Sequence, residues 1–139
     1  MMKTALILLV TTLFITGCTS GGSTRSESIP VSSQYYPKTN YVELIFGSYN
    51  GNKKYEQISF IEVTGGRHSK TDDLMNALRQ KAKSVGADAV IDVRKGRIVR
   101  KESNTTLLVL SIAAGEDSSH TSQEYRSDTL QGLAITYLD

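Results

Sequence analysis

In this chain of 139 residues the most reactive side chain is Cys18, the only thiol, which stands directly after Ile15-Thr16-Gly17. A thiolate is a strong nucleophile that can be alkylated, and a single cysteine has no partner for an intramolecular disulfide. The other groups able to do chemistry lie far downstream. His68 and His120 are the only imidazoles, so a zinc site would need both of them plus carboxylates from distant loops. Ser69 and Asp72 lie close to His68, but adjacency at a helix start is not the geometry in which a base is oriented toward a nucleophile. Gly65-Gly66-Arg67-His68-Ser69 reads as a turn and helix cap. Its backbone N–H groups could alternatively hold an anion, with Arg67 assisting. The run lacks the further spacing of a P-loop or a dinucleotide fingerprint. Arg94, Lys95, Arg97, Arg100 and Lys101 form a basic cluster, read as a solvated hairpin turn or as a surface for lipid phosphates and acidic glycans. No catalytic residue, metal ligand or cofactor is expected.

The residues ahead of Cys18 explain the thiol. Lys3 gives a positive start, and Ala5 to Ile15 is apolar except for Thr11 and Thr12. As a helix this stretch covers about 16 Å, roughly half a bilayer's hydrocarbon core, so it is too short to span. It has the proportions of a signal-peptide core. Ile15-Thr16-Gly17-Cys18 resembles the lipobox of the bacterial lipoprotein family, in which two small residues precede the acceptor cysteine. That resemblance implies cleavage between Gly17 and Cys18, a diacylglycerol thioether on Cys18 and a further N-acyl chain. Two or three chains hold a protein on a membrane where one does so only marginally. Thr19, where an aspartate would retain a Gram-negative lipoprotein at the inner membrane, implies an outer-membrane address facing the periplasm.

Removing the 17 residues of the leader takes away Lys3 and leaves 122 residues with 15 basic and 14 acidic side chains. Near-neutrality argues against an electrostatic nucleic-acid binder, which needs a concentrated basic footprint. With Cys18 consumed, the domain must be stabilised by one apolar core, without disulfides. Residues 18–40 are rich in Ser, Thr and Gly, with Pro30 and Pro37, and read as a flexible tether reaching roughly 25 Å. Tyr35-Tyr36 near its end are expected to dock on the domain or, alternatively, to touch a partner.

Residues 41–139 suit a single globular domain. Tyr41 to Phe46 alternates as a strand, and Asn50-Gly51 signals a hairpin to a second strand over Tyr55 to Thr64. The shift of apolar phase between Phe60 and Ile61 points to a bulge or to burial on both faces. An amphipathic helix follows, capped by Ser69 or Thr71, with Asp72 and Asp73 in its first turn. It places Leu74, Met75, Leu78, Ala82 and Val85 on one face, with Lys81 snorkelling out and Gly86 at the C-cap. Ala87 to Val93 reads as a strand with Ala89, Ile91 and Val93 on one face. Asn104 to Ile112 is a further strand, apolar on both sides at Leu107 to Leu110. Ala113 to Asp128 is a polar excursion, and Leu130 to Leu138 is a last strand with Leu133, Ile135 and Tyr137 on one side. The order is β-β-α-β-β-β. The strand-helix-strand unit implies a parallel pair, and the fold class is α+β with the helix on one face of a mixed sheet.

Three pieces together carry a second resemblance: the helix Asp73 to Val85, the run Gly86-Ala87-Asp88-Ala89-Val90-Ile91, and Gln131-Gly132-Leu133-Ala134-Ile135-Thr136-Tyr137. They resemble the small α+β domains of the YbjQ-like group and the Rcs envelope-stress sensor lipoprotein. The alanines have a mechanical reading, since small side chains let the helix sit close to the sheet. The resemblance implies an envelope location and a capacity to self-associate. The stress sensor's disulfides have no counterpart here, nor has the thiol chemistry of heavy-metal binding. The expected function is a lipid-anchored, non-enzymatic interaction or stress-sensing domain with an envelope protein partner. The alternative is a module for an anionic ligand at Gly65–Ser69 or Arg94–Lys101.

Overall fold

The computed structural model describes residues 23–103 and 122–138. The elements run β1 (Arg25–Pro30), β2 (Glu43–Phe46), β3 (Tyr55–Thr64), α1 (Thr71–Ser84), β4 (Ala89–Ser103) and β5 (Ser122–Tyr137). The five strands form one sheet in the order β1-β3-β5-β4-β2. β2 and β4 are parallel, while β1 with β3, β3 with β5, and β5 with β4 are antiparallel. The fold is α+β, as the patterning implies. β3, α1 and β4 do form a crossover unit, but β5 inserts between its two strands.

The helix supplies the core of one face. Leu74, Leu78 and Ala82 are fully buried against Ile61, Val63, Val90, Leu130 and Ala134, with Met75 and Val85 packed at the margin. Each buried leucine contributes about 1.5–3 kcal/mol relative to exposure. The alanines act as their size suggests: Ala134 lies under the helix with no exposed surface. The helix starts one residue after neither expected cap. Lys70 is the N-cap, and its N–H donates to the Asp73 carboxylate at 2.8 Å. Gly86 (φ +82) ends the helix, and a Cβ there would meet Tyr36 Cβ at 2.5 Å. Lys81 is half-buried.

The opposite face of the sheet holds a smaller cluster. Ala89, Ile91 and Ile135 are buried, with Ile45, Tyr49, Leu133 and Tyr137 packed around them. Leu133, Ile135 and Tyr137 share that face, as the alternation implies. Val93 does not share it with Ala89 and Ile91. A bulge between Ile91 and Arg94 sets two residues opposite Gly132, with Asp92 in the left-handed region (φ 52). The extra residue flips the phase, so Val93 joins Val90 in the helix-side core. Aspartate tolerates that conformation better than most non-glycine residues. In β3 the register shift falls at Ile58, between Gln57 and Ser59, and not at Phe60-Ile61.

Three further expectations are corrected. The tether read over 18–40 contains strand β1, so the sheet begins well before Tyr41. β1 has one apolar residue in RSESIP and little buried side chain. It is held by its ladder to β3, by Ser59 Oγ donating to Ile29 O at 2.9 Å, and by Val31 N–H donating to Ile58 O at 2.8 Å. Hydropathy carries no signal for such an edge. Asn50-Gly51 does not join a hairpin, because β2 and β3 lie in different parts of the sheet. The basic run Arg94–Lys101 is not a turn: β4 continues through it, paired with β5 from Arg94–Gln131 to Ser103–Ser122. Accordingly Ser122 to Asp128, read as part of a polar excursion, is strand. Asn104 to Ile112, His120 and Cys18 lie outside the described residues.

Candidate functional site

Arg25, Thr64, Thr129 and Gly96 form one row across four strands. At this row β3 ends and β1 begins. β4 and β5 continue past it as a two-stranded arm, Arg97–Ser103 against Ser122–Asp128. The loop from Gly65 to Lys70, which leads into α1, lies beside the base of the arm. The Gly65–Ser69 turn and the basic run Arg94–Lys101, both singled out in the sequence, therefore converge at one end of the sheet.

The loop is fastened by its own polar groups. Gly65 N–H donates to Asp128 O at 2.9 Å, and Gly66 N–H donates to Ser69 Oγ at 2.7 Å. Ser69 N–H donates to Gly66 O at 3.2 Å, and the Ser69 hydroxyl bonds that of Thr24 at 2.9 Å. Gly65 O accepts from Arg100 Nη1 at 2.8 Å and from the buried Ser127 hydroxyl. The Gly65, Gly66 and Ser69 amides, among those expected to cradle an anion, thus have internal acceptors, and Ser69 Oγ, the hydroxyl beside His68, is engaged in the same bracing. His68 and Asp72 are exposed on the loop and the first turn of α1.

The basic cluster is divided between the two sides of the arm. Lys95 Nζ and Arg97 Nε converge on the Asp128 carboxylate at 2.9 and 3.1 Å. Hydrogen bonds from Lys95 and then Arg97 hold that carboxyl below its ordinary value. Lys101 pairs with Glu124 at 3.0 Å. On the other side, Arg100 lies 5.9 Å from the centre of the Tyr125 ring, and Arg67 lies 5.1 Å from it, so one aromatic face system serves two guanidinium groups. A shallow cleft of about 280 Å³ is bordered by Arg25, Glu27, Glu62, Thr64, Ile98 and Arg100. Arg25 and Arg100 stand at its outer end. Glu27 and Glu62, a cross-strand pair, lie two residues further into the sheet.

Sequence reasoning missed the contributions of Arg25, Tyr125 and Ser127, because no periodicity marked their segments as strand. Another site on the molecule also escaped it. Pro30, Gln34, Tyr36, Ile58 and Val85 border an apolar groove of about 420 Å³ beside the C-terminal end of α1. Tyr36 packs onto the core there, while Tyr35 is 85% exposed, so only one of the two tyrosines docks. Along the adjoining edge Ile29 and Val31 are 66% and 55% exposed.

Asp88 explains the aspartate of the Gly-Ala-Asp-Ala-Val run. Its carboxylate accepts from Thr136 Oγ1 at 2.8 Å and from Tyr137 N–H at 3.0 Å, and its own N–H donates to Ile135 O. It locks the start of β4 to the end of β5. Among the described residues no three His, Cys, Asp or Glu side chains cluster as a metal site would, and no helix is long and apolar enough to cross a membrane. No family model, curated protein or solved structure matches the chain.

Proposed function

We propose that the chain is a lipid-anchored lipoprotein of the cell envelope, held to the outer membrane by acyl chains on Cys18 and facing the periplasm. Its α+β body is a non-enzymatic interaction or stress-sensing domain that works by contact with an envelope protein. The anchor is supported by the apolar run closing on Thr16-Gly17-Cys18, with the only thiol in the acceptor position. The interaction role is carried by one structural observation. Ile29, Val31 and Tyr35 stand exposed along edge strand β1 and the segment after it. An open strand edge with apolar side chains offers both a hydrogen-bonding ladder and surface to bury. The relationship to the YbjQ-like group and the stress-sensor lipoproteins is part of the same proposal. It is supported by α1, the alanine-rich start of β4 and the closing half of β5 being packed together around Asp88 and Ala134.

Two experiments test this. Cys18→Ser is expected to leave full-length precursor that carries no acyl label; processed, soluble protein from that variant refutes the anchor. Photo-crosslinkers at Ile29 or Val31 in living cells are expected to capture a defined envelope protein, and a crosslinker at Gln80 on the exposed side of α1 is not. Equal capture from both positions counts against an interaction surface at β1.

A further inference from the structure

We infer that the end of the sheet bearing Arg25, Arg67, Arg100 and Tyr125 seats against the headgroup phosphates of the membrane to which Cys18 is anchored. The inference rests on the anchor proposed above and adds the orientation and the surface. Its first ground is chain length. Ser23 is fixed at the base of the arm: its carbonyl accepts from Arg100 Nη1 at 3.5 Å, and the next residue, Thr24, bonds Ser69. Only five peptide steps separate Ser23 from Cys18, which is roughly 18 Å even when fully extended. The acylated residue, and therefore the bilayer surface, must lie within that radius of Ser23. A long leash would let the body stand off; this length does not.

The second ground is direction. β1 is antiparallel to β3, and reading backward from Arg25 the chain leaves the sheet past Thr64, on the same side as the arm. From Gly96 to Ser103 the arm extends about 23 Å beyond the four-strand row. Laid along the bilayer with Arg100 and Tyr125 on its lipid side, the arm brings Arg25 and Arg67 at its base to the same surface. The third ground is charge. Arg25 and Arg67 are exposed at this end, and Arg100 is half-buried beside them. Tyr125 lies under the guanidiniums of Arg67 and Arg100, an amphipathic ring of the kind that suits the headgroup layer. The acidic pair Glu27 and Glu62 lies further into the sheet, away from the anchor. Each basic residue near an anionic surface strengthens the contact by about fivefold, the equivalent of about 1 kcal/mol.

The test uses the full acylated chain in vesicles of phosphatidylethanolamine with about one quarter phosphatidylglycerol, an anionic surface of physiological order. A headgroup-nitroxide lipid quenches a fluorophore placed at His68→Cys or, at the far end of β3, at Lys54→Cys. The mass of the Cys18 peptide is measured on the same sample. Quenching is expected to be several-fold stronger at position 68 than at position 54. Arg25→Glu combined with Arg67→Glu, both on exposed side chains, is expected to bring the two positions toward equality. An acylated chain with equal quenching at both positions overturns the seating and leaves the anchor standing. Unchanged quenching after charge reversal overturns the phosphate contact. A bare Cys18 removes both proposals at once.

Discussion

Strands β4 and β5 run side by side for more than a dozen residues, and their two halves are held by different forces. From Ala89 to Val93, β4 has β2 on one flank and β5 on the other, and both faces are covered: Val90 and Val93 beneath α1, Ala89 and Ile91 beneath Tyr49 and Ile45. From Arg94 onward β2 is gone, β3 soon ends, and the β4 side chains from Arg94 to Val99 are exposed, with Val99 at 63%. There the pair is held by its ladder, by Lys95 and Arg97 on Asp128, and by Lys101 on Glu124. The bulge at Asp92 marks the boundary. The comparison teaches that strand continuity need not follow hydrophobic continuity, since the same two strands serve as core in one half and as an outward-reaching arm in the other.

If this division is right, the largest effects belong to the covered half. Leu130→Ala removes a side chain with 1% exposure from the helix-side core. It is expected to lower stability by about 2–5 kcal/mol, read as a shift of the denaturant midpoint. A loss under half of the lower figure would mean that the core is less closely packed than described. Next in size is Gly132→Val. A Cβ at Gly132 would already meet Val90 Cγ1 at 2.5 Å and Ile91 O at 3.1 Å. Overpacking of this kind costs about 1–3 kcal/mol or more. Asp92→Val, a branched residue forced into the left-handed region, is expected to cost about 1–2 kcal/mol, whereas Asp92→Gly should be tolerated. Equal effects from the two substitutions would show that the bulge can slide.

The smallest effects, and the ones that sharpen the contrast, come from titration. Asp128 in the arm has its carboxyl lowered by Lys95 and Arg97. Its stabilising contribution is therefore complete above the ordinary value of 3.8 and is lost as pH falls below that through the depressed value. Asp128→Asn should flatten this acid limb while leaving the neutral-pH fold in place. In the covered half the sign is reversed in pH. Burial, then the neighbouring Tyr49, pushes the Tyr137 hydroxyl up to about 12 from 10.0. Its contribution is complete below pH 10 and is lost as pH rises toward 12. Ultraviolet titration of Tyr137→Phe should lose the latest-ionising tyrosine; an unchanged curve would assign that step elsewhere.

The same division decides what could be read from residues alone. α1 was legible in position and face, because Leu74, Leu78 and Ala82 repeat at helical spacing and Gly86 closes the helix. β3 was legible end to end, and so was the Leu133–Tyr137 face of β5. What escaped was every segment whose pairing is not accompanied by burial. Arg25–Pro30 and Arg94–Ser103 carry Ser, Glu, Arg and Lys on their exposed positions, and their strand character rests on backbone ladders that hydropathy cannot register. The single inserted residue at Asp92 likewise left no trace in composition, yet it moved Val93 to the other side of the sheet. At the candidate site, Gly65, Gly66, Arg67 and Ser69 were read as a turn and helix cap; the turn is there, and the cap falls on Lys70. Gly66 and Ser69 brace one another locally, but the bonds to the Gly65 peptide come from Asp128, Arg100 and Ser127, more than thirty residues away, and local spacing gives no notice of them.

β5, the last of the described strands in sequence, occupies the centre of the sheet. Until Thr129–Tyr137 arrive, β1 with β3 and β4 with β2 are two separate half-sheets that share no ladder, and the underside of α1 lacks Leu130 and Ala134. The keystone is placed after the stones it joins. Among the described strands, none ahead of β5 can lock the two halves together. Closure then depends on contacts of long sequence separation, which form slowly, and the two halves stay unjoined for that interval.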